Sequence, residues 1–383
     1  MTLELRKAYV RGTHRAVAPE ATLERIRPHL RAFGITRCAD ITGLDCIGIP
    51  VYVAVRPQGR VLQTSNGKGP RHVDAQVSAL MESIEVWHAE NPAVPFQRAS
   101  LARLRREGAR VVSPERLEGF WSSAHFTEDL VLDWVRGEDL HSREELWVPA
   151  FAAYYYRHQH HRYSFNGLAS GNNLTEATLH GMYELIERDT LSRLSEGNRI
   201  HLGRCDVIDL DTITDDVVGG LRERIQRSDL QLVLLRAPSD LPTHVFLAVV
   251  LDPSPFSHAS TVNLGYGAHL SPSVAAARAI TEAAQSRLTF IHGSRDDLTE
   301  AAYRGGGSHQ RLYSFFSQLD PRTRWEELED GSSQDLTRDY QRLLASALEG
   351  GFEAAYRVDL GQQFADVAVV KVMIPGARLT ISI

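Results

Sequence analysis

Residues 166–172 read NGLASGN and residues 65–69 read SNGKG, and a helical run follows each of these polar, glycine-rich stretches. The runs 162–165 and 61–64 just before them are short strand candidates, so each copy predicts a strand, a glycine turn and then a helix. Glycine lets a backbone approach a ligand closely, and the start of the following helix favours an anion. Two copies of one plan predict a pseudo-repeated fold around an anionic ligand.

Two glutamates on each helical run are candidate metal ligands. Glu82 and Glu85 follow the first copy, Glu184 and Glu187 follow the second, and the last glycine of each copy lies equally far before its first glutamate. Residues three apart share a helix face, so two such helices side by side would direct four carboxylates into one space. These carboxylates would repel one another without a cation, and oxygen ligands favour Mg²⁺, which usually accompanies phosphates. The pattern predicts a nucleotide site.

A third copy is weaker. Residues 263–267 read NLGYG, overlap the end of a strand candidate at 261–264, and precede a helical run. Arg278, Glu282 and Gln285 share one face of that run. We expect this copy, with Gln285, to belong to the same nucleotide site.

Polar residues inside the glycine stretches add candidate nucleotide contacts. The chain of 383 residues contains three lysines, and Lys68 lies within the first stretch, where a compact ammonium can meet a phosphate. Ser170 and Asn172 add polar groups at the start of the second helix. Neither a Walker sequence nor a Rossmann glycine fingerprint occurs, so the predicted nucleotide site is of another type.

The sequence gives little support for a zinc, di-iron or other transition-metal site. His180 and Glu184 would suit zinc, but the sequence His-Glu-x-x-His is absent. A di-iron bundle needs Glu-x-x-His on two helices, and Glu85 with His88 provides that spacing once. The histidine-rich tract 157–162 is a transition-metal alternative, although such tracts are more often solvated.

Composition excludes several classes of protein. The net charge of −6 gives a nucleic-acid role no electrostatic support. The longest apolar run, 245–251, is too short to cross a bilayer, and residues 1–10 lack the apolar core of a signal peptide. Three cysteines without metal-site spacing indicate a reducing compartment. We therefore expect a cytoplasmic protein without a disulfide framework.

The order of predicted elements indicates an α+β fold, with mixed sheets and helices. Strands and helices alternate without strict βαβ order, which argues against a doubly wound sheet. Residues 1–60 form an N-terminal element with a helix and a strand, and residues 61–383 form the nucleotide-binding domain. No low-complexity linker separates them, so we expect one integrated body.

These motifs resemble those of the YcaO family. The resemblance rests on both glycine stretches with SALMESIE at 78–85 and YELIERD at 183–189, on TEAAQSRL at 281–288 with GSRDD at 293–297, and on the opening Thr13-His14-Arg15. It extends from about Lys7 to Pro375. It implies an ATP-dependent enzyme that phosphorylates the oxygen of a peptide backbone amide while a nucleophile attacks.

The resemblance also implies residue roles. Glu82, Glu85, Glu184 and Glu187 would hold Mg²⁺. The residues that would contact ATP or its phosphates are Arg15, Thr22, Asn172, Glu176, Arg188 and Arg287. Phosphoryl transfer needs chiefly positioning and neutralisation of charge, which a metal held by carboxylates and a set of arginines can supply.

Differences between this chain and other members of the family bear on which nucleophile and which partner protein we expect. Azoline-forming members often end in a proline-rich tail, whereas residues 371–383 contain one proline. This ending resembles the branch that forms thioamides beside a TfuA-like partner. Phe165 and Ala169 replace serines common in the family, which bears on nucleotide contacts. An azoline-forming cyclodehydratase and a non-catalytic nucleotide-binding accessory protein remain alternatives.

Substrate recognition is the least determined feature. We expect a peptide or protein substrate, and a homodimer stays open. Residues 1–60 are too few for a winged-helix module that recognises a leader peptide, so we expect a partner to select the substrate. The peptide, the modified residue and the sulfur donor do not follow from the sequence.

Overall fold

The structure is a computed structural model that describes residues 4–118, 126–155, 163–196, 199–254, 261–293, 303, 306–361 and 367–379. The histidine-rich tract 157–162 and the 294–297 part of the family resemblance lie outside these residues. The described helices of four or more residues are α1 Pro19–Ile26, α2 His72–Glu90, α3 Leu101–Arg106, α4 Ala150–Ala153, α5 Leu174–Arg193, α6 Asp216–Arg227, α7 Pro272–His292, α8 Gly306–Phe316 and α9 Leu336–Glu349. Contacts divide the chain into unit 1, which comprises residues 1–5, 84–189 and 335–380, and unit 2, which comprises residues 6–83, 190–334 and 381–383.

Unit 1 is built on one antiparallel sheet. Its strands are β4 Gln97–Ser100, β5 Val131–Asp139, β6 Glu145–Pro149, β7 Leu168–Gly171, β14 Tyr356–Asp359 and β15 Ala368–Met373. They pair in the order β4-β5-β14-β15-β7, with β6 also on β5. Strands from the second half of the chain thus lie between strands from the first half. Unit 1 is therefore not one continuous stretch of the chain.

Unit 2 contains the remaining described strands. These are β1 Arg37–Asp40, β2 Val51–Val55, β3 Thr64–Lys68, β8 Ser195–Glu196, β9 Arg199–Ile200, β10 Asp206–Val207, β11 Gln231–Ala237, β12 His244–Leu251 and β13 Val262–His269. They form the antiparallel sheets β1-β2-β3 and β10-β11-β12-β13 and the pair β8-β9.

The central strand β12 explains how the larger sheet of unit 2 is buried on both faces. Phe246, Ala248 and Val250 belong to a core that includes α6 and α7 residues. Val245 and Leu247 point into a second core, which includes residues of α8. Successive side chains of a strand point to opposite faces, so a continuous apolar run fits this position.

The three strand–helix repeats are present, and the α+β class is confirmed. β3 precedes α2, β7 precedes α5, and β13 precedes α7. The first two predicted strands end too early, because the glycine-rich stretches are themselves the strands, whereas residues 262–264 of the third belong to β13. The segment 163–165, expected to be strand, has no regular structure.

Glycine lies in these strands because the next helix packs directly on them. A Cβ on Gly67 would lie 2.0 Å from the backbone nitrogen of Ala79 in α2, and one on Gly265 would lie 2.1 Å from that of Ala283 in α7. In β7, a Cβ on Gly171 would lie 2.6 Å from the nitrogen of Ala177. Real Cβ atoms do not approach backbone so closely. The glycines therefore serve helix–strand packing in all three repeats.

Candidate functional site

The second repeat places Asn172 and Glu176 at the start of α5. The backbone nitrogen and the side-chain Nδ2 of Asn172 both donate to Glu176 Oε1, at 3.1 and 3.0 Å. The Glu176 nitrogen donates to Asn173 Oδ1 at 2.9 Å. Glu176 is buried, so these bonds fix its carboxylate where α5 begins. A carboxylate near a helix N-terminus is stabilised by the helix dipole.

Ser170 joins β7 to the part of α2 that belongs to unit 1. It lies on β7 and is buried, and its hydroxyl donates to Glu85 Oε1 on α2 at 2.5 Å. A hydrogen bond to a carboxylate is among the stronger kinds in proteins. It holds the Glu85 carboxylate against the strand that leads into α5.

Tyr163 belongs to unit 1, and sequence analysis did not identify it. Burial raises the pKa of its phenol above the ordinary value, and the negative charges of Glu85, Glu184 and Glu90 raise it further. The phenol therefore stays protonated and neutral at physiological pH. Its hydroxyl donates to the Ala153 carbonyl at 3.4 Å.

Lys371, on β15, is the second residue that sequence analysis missed. It is 3% exposed, its ammonium donates to the Ser164 carbonyl at 2.5 Å, and it lies 5.0 Å from the centre of the Tyr163 ring. Burial lowers its pKa to about 8, although Glu118 and Glu184 oppose this shift. The only feature of the sequence that could have drawn attention to Lys371 is the scarcity of lysine in an arginine-rich chain.

Glu187 and Arg188 occupy the middle of α5. Glu187 is buried, and its Oε1 lies 3.9 Å from the Nε of Arg188, which is partly exposed. One turn of α5 thus carries Glu184, Glu187 and an arginine. These are the residue types that metal binding and phosphate binding require.

In unit 2, the first and third repeats are joined through Lys68. Its ammonium forms a 2.5 Å ion pair with Glu282 Oε2 of α7, and the other oxygen of Glu282 accepts from the Tyr266 nitrogen. Asn66 Nδ2 donates to Thr289 Oγ1 at 2.9 Å. The half-buried Gln285 is on the same helix, and its backbone carbonyl accepts from Thr289.

Arg287 is held in a buried ion-pair network. Its Nε is 3.1 Å from both oxygens of Asp45, and its Nη1 is 2.9 Å from Asp252 Oδ2. All three side chains are less than a tenth exposed. These contacts orient the guanidinium and give it a role in holding unit 2 together.

Arg15 and Thr22 lie in the N-terminal part of unit 2. Arg15 exchanges backbone hydrogen bonds with Tyr9 and is half-buried. Thr22 is buried in α1, and its hydroxyl lies 3.5 Å from the Ala18 carbonyl.

The candidate metal ligands are divided between the units. Glu82 belongs to unit 2, whereas Glu85, Glu184 and Glu187 belong to unit 1. Within the described ranges, no three or more His, Cys, Asp or Glu side chains are grouped so as to hold a metal ion. Carboxylate oxygens are nevertheless the donors that Mg²⁺ prefers.

None of the helices in the described part of the chain is long and apolar enough to cross a membrane.

Comparisons with known proteins identify a family of similar proteins. The family model described as YcaO cyclodehydratase, ATP- and Mg²⁺-binding, matches residues 66–378. A protein of Rhizobium leguminosarum bv. trifolii, described as an uncharacterized protein in the tfuA 3′ region, is 34% identical over 96% of this chain and 89% of its own.

Solved structures share the fold. YcaO from Methanopyrus kandleri, bound with AMPPCP and Mg²⁺, has a TM-score of 0.78 at 24% identity and covers 97% of this chain and 95% of its own. A chain of the Escherichia coli microcin synthetase McbBCD complex with pro-MccB17 bound has a TM-score of 0.63 at 16% identity, over 88% of this chain and 87% of its own. At these identities the likeness shows the fold alone.

Proposed function

The chain belongs to the YcaO family of ATP- and Mg²⁺-binding enzymes that modify backbone amides, and from this premise we propose that it converts a peptide amide into a thioamide beside a TfuA-like partner. The observation that carries the choice of thioamide is the relative encoded next to tfuA, which matches nearly the whole chain.

The proposed reaction replaces one oxygen by sulfur. ATP with Mg²⁺ supplies the γ-phosphoryl group that turns the amide oxygen into a leaving group. A sulfide donor forms the new carbon–sulfur bond, the carbon–oxygen bond breaks, and the products are the thioamide, ADP and inorganic phosphate. The protein contributes positioning and neutralisation of charge.

Most of the residues that we propose for metal binding and nucleotide binding lie in the three strand–helix repeats. Glu85, Glu184 and Glu187, with Glu82, would hold Mg²⁺, and the Ser170 bond already fixes one Glu85 oxygen. Asn172 and Glu176 would meet the nucleotide at the start of α5, and the partly exposed Arg188 would meet its phosphates. The nucleotide contacts that we propose in unit 2 are Arg15, Thr22, Lys68, Gln285 and Arg287. Lys68 would exchange Glu282 for a phosphate.

Azoline formation is the second candidate, because the matching family model carries the description cyclodehydratase. In that reaction a Cys, Ser or Thr side chain of the peptide attacks the amide, and water is lost overall. The two products differ in mass: a thioamide gains the difference between sulfur and oxygen, and an azoline loses one water.

The test combines the purified protein, ATP, Mg²⁺, a sulfide source, the neighbouring TfuA-like protein and its candidate peptides. We expect phosphate release that depends on the peptide, and a peptide whose intact mass shows sulfur in place of oxygen. Loss of water instead would establish the cyclodehydratase. Absence of phosphate release in every combination would favour a nucleotide-binding accessory protein.

A further inference from the structure

Three neighbouring strands of unit 1 contact α5. On β7, a Cβ on Gly171 would lie 2.6 Å from the backbone nitrogen of Ala177 in the helix. On β15, Cγ2 of Val372 would lie 2.8 Å from a Cβ on Gly181 of α5. At both strands a glycine therefore allows the backbone to pack closely. On β14 the contact is of another kind, a hydrogen bond from the side chain of Arg357.

Arg357 is buried and holds α5 through one hydroxyl group. Its Nη1 donates to Thr178 Oγ1 at 3.0 Å, and Thr178 is fully buried in α5. Its Nη2 donates to a carboxylate oxygen of Glu138. Arg357 and Glu138 are directly opposite each other on β14 and β5, so the register of the sheet fixes this ion pair. The planar guanidinium, oriented by Glu138, thus directs a second nitrogen at the helix.

Thr178 passes this constraint to the first turn of α5. Its hydroxyl donates to the Leu174 carbonyl at 2.6 Å, and Leu174 is the first residue of the helix. Glu176 lies between these two residues, and its carboxylate accepts both hydrogen bonds from Asn172. Because the ends of helices tend to fray, a side chain that ties the first turn to the sheet adds order there. The bonds of Arg357 and Thr178 fix the turn that carries Glu176.

We propose that Arg357 is a positioning residue for the nucleotide: through Thr178 it fixes the first turn of α5, so that Asn172 and Glu176 are in place before ATP binds. This inference rests on the proposed function, since it assumes that the nucleotide binds at the start of α5. Arg357 acts through Thr178 and does not itself contact the nucleotide. A site that is already ordered loses less conformational entropy on binding, so its affinity is higher.

Thr178→Val tests the proposal with a small change, because valine has the branched shape of threonine but no hydroxyl. The measurement is calorimetric titration with a non-hydrolysable ATP analogue and Mg²⁺. We expect a Kd about tenfold higher than that of wild type, which corresponds to the free energy of about one hydrogen bond, and an unchanged stoichiometry. Thr178→Ser keeps the hydroxyl and should bind as wild type does. An unchanged Kd in Thr178→Val would overturn the proposal.

Arg357→Lys tests the other end of the same contact. Lysine keeps a positive charge opposite Glu138, but its single nitrogen cannot reproduce the two directed contacts of the guanidinium. We expect the same tenfold rise in Kd, and no further rise when Arg357→Lys is combined with Thr178→Val, because both changes remove one interaction. If the two losses of affinity multiplied in the double variant, Arg357 would not act through Thr178 and the proposal would be refuted.

Trp134→Phe is the control that separates positioning from general stability. Trp134 is buried on β5 in the same sheet, and its Nε1 donates to the Ala99 carbonyl at 2.9 Å. Losing this buried bond should lower the melting temperature. It should leave the Kd for the analogue unchanged, because destabilisation alone reduces the amount of folded protein and therefore the stoichiometry. A tenfold rise in Kd in Trp134→Phe as well would argue against a specific role for Arg357.

Hydrogen exchange in the ligand-free protein distinguishes failure of this inference from failure of the proposed function. We expect the amides of residues 177–182, whose hydrogen bonds close the first turns of α5, to exchange faster in Thr178→Val than in wild type. Equal exchange would overturn the inference and leave the proposed function standing. Faster exchange in the variant, together with a wild-type protein that does not bind the analogue, would instead contradict the nucleotide site of the proposed function.

Discussion

The Ser170 hydroxyl donates a 2.5 Å hydrogen bond to the carboxylate of Glu85, which lies 85 positions earlier in the chain. Ser170 is on the strand of the second repeat, and Glu85 is on the helix of the first. The bond therefore aligns β7 with the part of α2 that belongs to unit 1. It also occupies one oxygen of a proposed Mg²⁺ ligand and so limits the orientations open to that carboxylate.

Ser170→Ala tests this alignment. The substitution removes the donor to the half-buried Glu85 carboxylate, so we expect the free energy of unfolding to fall by about 1–2 kcal/mol. Chemical denaturation measures the loss. Ser314→Ala is the matched control: that serine is exposed on α8 and donates to the Gln310 carbonyl, so its removal should change stability by less than about 0.5 kcal/mol. Equal losses in both would argue against a special role for the Ser170 bond.

Glu184→Gln and Glu82→Gln test the metal ligands. Each exchange keeps the shape of the side chain but removes a charge, so we expect Mg²⁺-dependent ATP binding to be lost while the protein stays folded. The ligand-free protein should be at least as stable as wild type, because repulsion among carboxylates is relieved. Calorimetric titration with ATP and a thermal melt measure both effects.

The control for these exchanges is Glu223→Gln, on the exposed surface of α6, which makes the same change of charge away from the repeats. It should bind ATP as wild type does. Unchanged ATP affinity in both Glu184→Gln and Glu82→Gln would refute the assignment of these glutamates to a metal.

Gly67→Ala and Gly171→Ala test helix packing on the strands. Neither glycine has a positive φ, so the cost comes from the Cβ, which would lie 2.0 Å and 2.6 Å from helix backbone. Since backbone cannot move aside as a flexible side chain can, we expect losses of about 1–3 kcal/mol, larger for Gly67→Ala. Urea denaturation measures them.

Gly220→Ala provides the opposite expectation. This glycine is in α6, and nothing lies within 4 Å of its added Cβ. Alanine is the better helix former, so this variant should gain up to about 1 kcal/mol. A loss in Gly220→Ala as large as that in Gly67→Ala would show that close packing does not explain the glycines of the strands.

Arg287→Met should strongly destabilise unit 2. It leaves the buried carboxylates of Asp45 and Asp252 without their shared cation, and we expect a loss of about 3–5 kcal/mol. Arg287→Lys keeps the charge but cannot reproduce the contacts of the guanidinium with both carboxylates, so its loss should be intermediate. If Arg287→Lys were as stable as wild type and yet bound ATP poorly, Arg287 would be a direct nucleotide contact and not a structural centre.

His88 predicts a dependence of stability on pH. It is fully buried, its Nδ1 bonds with the Ile84 carbonyl, and burial lowers its pKa to about 4. Between pH 6.5 and 4 the unfolded chain binds this proton and the folded protein does not, so the free energy of unfolding should fall with pH by up to about 3 kcal/mol. His88→Gln should lose less stability between pH 7 and pH 4.5. Parallel profiles for variant and wild type would contradict this assignment.

The sequence by itself determined the repeated units and the class of chemistry. The spacing of Glu184 and Glu187 predicted a shared helix face, and α5 contains both residues. These features are local, because side-chain direction in a strand or helix follows from the backbone period alone. The residues that carry the family resemblance are likewise readable without coordinates.

Only the tertiary structure decided why the glycines are needed and which distant groups meet. The glycine stretches were predicted to be turns, but they form strands. Their glycines are needed because α2 and α7 pack directly against these strands. The contacts of Arg287 with Asp45 and of Lys371 with Ser164 join residues more than two hundred positions apart. No local period encodes such pairs, because they depend on how the sheets bring separate stretches of chain together and on the cost of burying each charge alone.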